Sequence, residues 1–398
     1  MNSTKETGRP APAFETQHLL IAQFCAILVF SALYAPQPLL PVLAETFAVS
    51  ESRAALLITV SLLPLALAPV AYGFLLQRLS ARRVLIGATW LLALSHLAVA
   101  AVDDFEVLLA LRLAQGLIVP ALLTALMTYL GASAAPSQIA RVMALYIAAN
   151  VFGGFAGRLV SGVISTHFGW RMSFLFLAAA TALCAVLLRQ LHADLRVNFR
   201  RPGFAMIREV LNEPVFLRLY LVVFLAFGSF ASVLNFLPFR LVELDTGLNE
   251  TGIALMYSGY LMGVITSLIS LRVARQIGGL VNTMILGTAV FLAALLFFAG
   301  SALWLLFIGM FVMCAGMFLI HSLAPGITNQ GHGEKRGVVN GLYIAFYYAG
   351  GATGSFLPGF LYQSHGWHAY LASLGLAIIL AAHLLHTLRG SDQAKHLK

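Results

Sequence analysis

Two arginines, Arg112 and Arg158, stand inside otherwise apolar stretches of the chain, whereas each of its 15 acids falls in a polar segment or at the end of an apolar one. A guanidinium presents a planar fork of donors that matches a carboxylate or phosphate, so two of them without internal acids point to recognition of an anion or of strong acceptor groups. The competing role is internal, with Arg112 bonded to backbone carbonyls and to Gln115, and Arg158 paired with an acid at a stretch end such as Glu250. Both roles stay open at this level. Proton exchange near neutral pH calls for histidine, with its ordinary pKa of about 6.5. The candidates are His96 and His321, and His321 is the better placed, in a stretch that ends His-Ser-Leu-Ala-Pro-Gly; a packed, hydrogen-bonded histidine is the alternative. Side chains suited to a small-molecule wall are Tyr34, Gln37, Asn150 and Asn235, with Asn340, Tyr343 and Tyr347 on one helical face by their i, i+3, i+7 spacing. Aromatics at that spacing serve packing equally well. No nucleophile constellation or His/Asp/Glu metal cluster occurs within these stretches, so neither an enzyme nor a metal or cofactor is expected, and the proton is the expected coupling ion.

The elements that must hold these groups follow from composition. With 60% apolar and 10% charged residues and a mean hydropathy of +0.89, the chain cannot cover itself with a water-facing surface. Apolar stretches of about 20 residues, the length that spans a bilayer, recur along nearly all of it. They are continuous Leu/Ala/Val/Phe blocks rather than alternating ten-residue segments, which excludes a membrane barrel and leaves helices. The predicted spans are 18–40, 53–77, 84–102, 105–130, 138–166, 171–190, 215–238, 251–273, 279–299, 302–328, 337–363 and 368–388. Met1 to Glu15 is polar, lacks the features of a secretory signal, and reads with residues 16–17 as a cytoplasmic tail, matched by a second at 389–398. Cys25, Cys184 and Cys314 all fall in apolar segments without metal-like spacing, so neither disulfide nor zinc is expected.

A net charge of +9 would suit nucleic acid if it were clustered, but topology accounts for it. With the N-terminus cytoplasmic, 19 of the 24 Lys and Arg fall on the cytoplasmic side, 3 outside (Arg53, Arg171, Arg240) and 2 in the membrane. No nucleic-acid partner is expected. The longest polar stretch, within 191–214, carries Arg196, Arg200, Arg201 and Arg208 and separates residues 18–190 from 215–388. Its second part, Phe204 to Leu211, is either a short amphipathic helix on the leaflet or a solvated linker.

The two segments so separated repeat each other. A shift of 197 residues carries Val142, Leu145, Tyr146, Ile147, Ala148, Gly153, Gly154, Gly157, Gly162, Gly169 and Trp170 onto identical residues, ending at Gly366 and Trp367, without a gap. The same shift carries Asn150 to Tyr347. Parallel repeats of this kind support transport by rocking one half against the other around a midplane site. The Pro36-x-Pro38-x-x-Pro41 run bends the end of the first span, supplying a gate or freeing carbonyls.

Three local patterns resemble the major facilitator superfamily, and within it the twelve-span drug:proton antiporter branch that includes arabinose-efflux-permease-like proteins. The first lies after span two, where Gly73, Gln77, Arg78, Ser80, Arg82 and Arg83 follow Gly-x-x-x-Asp-Arg-x-Gly-x-Arg-Arg, with Gln77 for the Asp and Ser80 for the second Gly. The second, Arg112-Leu113-Ala114-Gln115-Gly116, matches Arg-x-x-Gln-Gly, and the third is the ladder Gly153, Gly154, Gly157 and Gly162, with Arg158 where the branch has proline. The resemblance covers roughly residues 17–390. It implies an all-α membrane protein of twelve transmembrane helices in two pseudo-symmetric six-helix bundles, a loop that latches the cytoplasmic side, and helices on which Tyr34, Gln37, Asn150 and Asn235 line the cavity. The expectation is a monomeric secondary transporter of the bacterial inner membrane, exporting a small organic solute in exchange for protons. Uptake of an organic anion guided by Arg112 and Arg158 is the runner-up. A receptor or scaffold without flux would call for a sizeable soluble domain, and the longest polar segment here is the linker.

Overall fold

The protein is described by a computed structural model over residues 16–71, 79–135, 137–191, 204–328 and 335–389. Gly73, Gln77 and Arg78 of the expected latch lie outside the described residues. Helices follow in the order α1 (Thr16–Tyr34), α2 (Leu40–Thr46), α3 (Glu51–Ala71), α4 (Ala81–Ala100), α5 (Phe105–Ser133), α6 (Ile139–Phe168), α7 (Trp170–Leu187), α8 (Phe204–Asn212), α9 (Pro214–Leu244), α10 (Glu250–Met256), α11 (Tyr260–Gln276), α12 (Leu280–Phe298), α13 (Leu303–Thr328), α14 (Arg336–Gly354) and α15 (Leu357–Arg389). Single 3-10 turns sit at Gln37–Leu39, Leu188–Gln190 and Tyr257–Gly259. Among the described residues, 10 stretches are long and apolar enough to cross a membrane. Large apolar side chains such as Leu268, Leu296 and Leu376 are exposed on them, as lipid-facing helices require. The chain is a multi-pass, all-helical membrane protein.

Helix bounds fall within a few residues of those predicted, and the departures have local causes. The run Gly337–Arg389 is 53 residues long and comprises α14 and α15; α15 is itself two helices in series, since Gly366 adopts φ 79°, a conformation that favours glycine. Gly169, its counterpart in the repeat, has φ 83° between α6 and α7. The span expected at 251–273 is interrupted by the 3-10 turn that carries Tyr257. The linker's second part is helical: Val210 is buried, and Met206, Ile207 and Leu211 pack on the core. Lys335 donates to Glu209 at 2.6 Å, which ties α8 to the start of α14.

The first helices of the two halves are the most enclosed, with 67% of the Thr16–Thr46 window and 72% of the Pro214–Leu244 window buried. That places α1 and α9 at the centre. Small residues let their partners approach to backbone contact. A Cβ at Gly153 or Gly157 of α6 would strike the backbone of Ile27 or Ser31 in α1. At Gly350 or Gly354 of α14 it would strike that of Phe224 or Gly228 in α9, so both members of each contact recur 197 residues on. The repeat is therefore a repeat of packing. A second related pair crosses from half to half: Gly162 abuts Ala254 and the Glu250 carbonyl of α10, and Gly359 abuts Ser52 of α3. These crossings lie at the face that carries Glu51, Asp103, Glu106, Glu243 and Glu250, called here the acidic face.

Candidate functional site

Proline decides where the backbone has carbonyls to offer. It has no N–H, so in a helix the carbonyl four residues earlier loses its partner. Pro36 leaves the Ala32 carbonyl open, and Arg112 of α5 reaches it through Nη1 at 3.1 Å while Nη2 donates to the Leu33 carbonyl at 2.9 Å. Its Nε donates to the Leu57 carbonyl of α3 at 3.1 Å, and Nη1 also donates to Gln115 Oε1 at 2.6 Å. Gln115 in turn has its Nε2 3.1 Å from Ser95 Oγ and 3.1 Å from His96 Nδ1. Arg112 is 1% exposed, and its guanidinium joins α1, α3 and α5 inside the first half of the chain.

Arg158 is also fully enclosed, at 0% exposed, but its surroundings come from both halves. Its Nη1 donates to the Gly154 carbonyl one turn earlier at 2.6 Å. A Cβ at Gly154 would come into ordinary van der Waals contact with this nitrogen and with the Tyr34 ring. Its Nε donates to Gln37 Oε1 at 2.5 Å, Gln37 Nε2 donates to Asn235 Oδ1 at 2.5 Å, and Asn235 Nδ2 lies 3.5 Å from the Ser355 carbonyl. A directed chain of polar groups thus runs from α6 through the bent end of the first span to α9 and the end of α14. Three rings surround the guanidinium carbon, with centroids at 4.3 Å for Tyr34, 4.9 Å for Tyr257 and 4.9 Å for Tyr260. The Tyr260 hydroxyl is 3.4 Å from Nη2. Tyr257 is held by a proline-freed carbonyl: Pro238 opens that of Leu234, and the Tyr257 hydroxyl donates to it at 2.7 Å.

The expected pairing of Arg158 with Glu250 is absent. Glu250 instead accepts from Ser165 Oγ at 3.3 Å and Thr166 Oγ1 at 3.1 Å, so it joins α6 to α10 at the acidic face. Both arginines do meet one stretch of the first span, residues 32–37, but they touch different groups on it and do not share partners.

A second cluster lies in the second half. Pro325 frees the His321 carbonyl, and the Tyr343 hydroxyl sits 3.4 Å from it and 2.9 Å from His321 Nδ1. The ring of Tyr347 is 4.6 Å from that of His321 and stacks on Phe227 at 3.7 Å. Phe318 links the clusters, with centroids 6.3 Å from His321 and 6.0 Å from Tyr260. Asn340 is half-buried lower on α14, and Asn150 is half-buried on α6 with Oδ1 enclosed and unpartnered. No group of three metal-binding side chains occurs among the described residues.

The family model described as Major Facilitator Superfamily matches residues 19–330 and 219–397. The chain belongs to the major facilitator superfamily. It is 28% identical to the Escherichia coli K12 inner membrane transport protein YnfM over 380 residues, covering 94% of this chain and 90% of that one. It is 24% identical to the Bacillus subtilis MFS-type transporter YybF, covering 88% of each. The solved nucleoside transporter NupG superposes with a TM-score of 0.78 at 14% identity, over 94% of this chain and 100% of that one. A bacterial homologue of the human lysosomal transporter Spinster, inward-facing and unoccupied, does so at 0.74 with 14% identity, over 95% and 96%. The superfamily is one of membrane transporters, not of enzymes.

Two features of this superfamily member escape its sequence. Tyr257 and Tyr260 complete the box around Arg158, and only their i, i+3 spacing near the start of a span hinted at a shared face. Ser80, which departs from the superfamily's loop pattern, caps α4, its hydroxyl accepting from the Arg83 N–H at 3.4 Å. Arg82 Nη2 donates to the Arg189 carbonyl at 2.5 Å and so ties that loop's end to the last turn after α7.

Proposed function

We propose that the chain is a secondary carrier that moves a small organic solute by alternating access, as proton-coupled efflux across the bacterial inner membrane. Twelve spans form two six-helix bundles, residues 18–190 and 215–388, joined by a cytoplasmic linker at 191–214, with both termini cytoplasmic and the monomer as the working unit. The observation that carries this proposal is the polar chain from Arg158 through Gln37 to Asn235, which joins the two halves of the chain. Polar groups are expensive in a membrane interior, and these sit where halves that rock against each other must part. Contacts between halves also gather at the acidic face, where Gln363 donates to Glu51 at 2.8 Å and Gly162 and Gly359 cross over. This is the arrangement of a carrier shut on that side. His321, bonded to Tyr343, supplies the group that takes up and releases the proton.

Membrane vesicles with an imposed pH gradient test this, using a labelled panel of organic anions, cations and sugars. Inside-out vesicles with an acidic lumen are expected to accumulate a panel member, and accumulation confined to right-side-out vesicles would reject efflux. His321→Gln is expected to abolish the response to the gradient while solute exchange without a gradient persists; an unchanged response would remove His321 from the coupling. Uptake of an organic anion is the second proposal, favoured by the absence of any acid beside Arg158 among the described residues.

A further inference from the structure

The two buried arginines differ in what holds their charge. Arg112 is spent on carbonyls of α1 and α3 and on Gln115, all within one half. Arg158 makes three hydrogen bonds, to Gln37, Gly154 and Tyr260, and three ring contacts, and forms no ion pair with a described residue.

The repeat shows that the fold does not call for a cation here. A shift of 197 residues puts Ser355 at the position of Arg158. Ser355 is 0% exposed, and its hydroxyl has no partner. A small, idle side chain therefore satisfies the same place in the second half. A guanidinium is the costlier choice in a membrane interior, and its three hydrogen bonds and three ring contacts supply no counter-ion among the described residues.

The cage around Arg158 is also divisible. Tyr34, Gln37 and Gly154 belong to the first half, and Tyr257, Tyr260 and Asn235 to the second. Any opening of the acidic face that separates the halves removes two of the three rings and the Tyr260 hydroxyl together, and leaves a guanidinium beside one ring. A carboxylate restores the charge through the two-point fork, and a flat ring attached to it fills the slab that Tyr257 and Tyr260 leave against Tyr34. The next surfaces inward are again aromatic, from Tyr260 through Phe318 to His321 and Tyr347.

We propose that Arg158 is the recognition point for an aromatic carboxylate, bound when the acidic face opens and displaced when Tyr257 and Tyr260 close over it. This inference rests on the alternating-access proposal and names the substrate class for its seam. It commits to an anion with a ring, where the carrier proposal commits only to a small organic solute.

The test uses purified full-length protein and three probes: benzoate, its neutral isostere benzamide, and acetate. Titration is expected to show benzoate binding roughly tenfold or more tighter than either of the others, a preference lost in Arg158→Gln and weakened but kept in Arg158→Lys. Equal binding of benzoate and benzamide, no binding of benzoate, or a preference that survives Arg158→Gln would each overturn the proposal. A second measurement needs no variant. Phenylglyoxal labelling of wild-type protein, read by peptide mass spectrometry, is expected to modify Arg158 slowly and to be slowed several-fold further by benzoate but not benzamide. Labelling that benzoate leaves unchanged, or none at Arg158 under any condition, would overturn it. Vesicles that move another solute on a pH gradient while both benzoate arms fail sink this inference alone; benzoate binding at Arg158 without flux of any solute sinks the carrier proposal instead.

Discussion

Arg112 illustrates how a membrane interior uses a costly residue for architecture. Its fork bridges a carbonyl that Pro36 has stripped of its N–H partner, the next carbonyl along, and one on α3. Arg112→Met is expected to lower the unfolding free energy by roughly 1–3 kcal/mol, the cost of leaving such acceptors unpaired, with the unfolding midpoint as the measurement. Arg112→Lys is expected to rescue little, because an ammonium is a point charge and cannot span three carbonyls. A midpoint unchanged in both would remove the residue from the architecture. Legibility in the sequence divides along the same line. That Arg112 and Arg158 were exceptional could be read from their apolar surroundings alone. Which partners they take could not, because Leu57, Gln37 and Tyr260 lie 55, 121 and 102 residues away. The pairing of His321 with Tyr343 had the same character: each was visible as a candidate, and their contact depends on Pro325 opening a carbonyl on one helix toward another.

At the level of elements, hydropathy carries most of the information, because span length is set by bilayer thickness and not by neighbours. The expected span 279–299 and the helix Leu280–Phe298 differ by a single residue at each end. Gly366 falls between the spans expected at 337–363 and 368–388, but breaks inside spans were harder to see: the end of α14 at Gly354 and the 3-10 turn at Tyr257–Gly259 change the backbone without interrupting the apolar run. The linker helix Phe204–Asn212 was legible only as one of two options, since its docking depends on Lys335, more than a hundred residues later. Glu209, and after it Glu213, hold the Lys335 ammonium above its ordinary pKa. A raised lysine favours the docked state while it is protonated. The tie therefore contributes fully below the ordinary lysine range and fades as pH rises through the higher, docked-state value. A spin label at Arg208→Cys is expected to stay slow at pH 8, to become mobile at strongly alkaline pH, and to be mobile already at pH 8 when Lys335→Met is added. Equal mobility in the two chains at pH 8 would detach Lys335 from the docking of α8.

For the whole molecule, duplication is the feature that sequence reveals best, since Leu-Tyr-Ile-Ala and Gly-Trp recur at one offset. What it could not reveal is that the offset also governs contacts. Ile27 and Ser31 meet the first glycine ladder, and Phe224 and Gly228, 197 residues on, meet the second. Between halves the offset relates the glycines, Gly162 against Glu250 and Ala254 and Gly359 against Ser52, while their partners fall out of exact register, since Ser52 corresponds to Asn249. Gly162→Val or Gly359→Val is expected to wedge the acidic face apart, read as several-fold faster modification of Ser165→Cys by an impermeant maleimide. The native cysteines are buried and give a low background. Unaltered modification rates in both would show that these glycines do not hold the face shut.

The twin crossings at Gly162 and Gly359 behave like two bolts on one door. Because they stand at equivalent stations on opposite flanks, a rigid swing cannot withdraw one and leave the other seated. On the alternating-access proposal, a half-ajar intermediate would thereby be avoided and the two sides of the membrane kept apart throughout the swing.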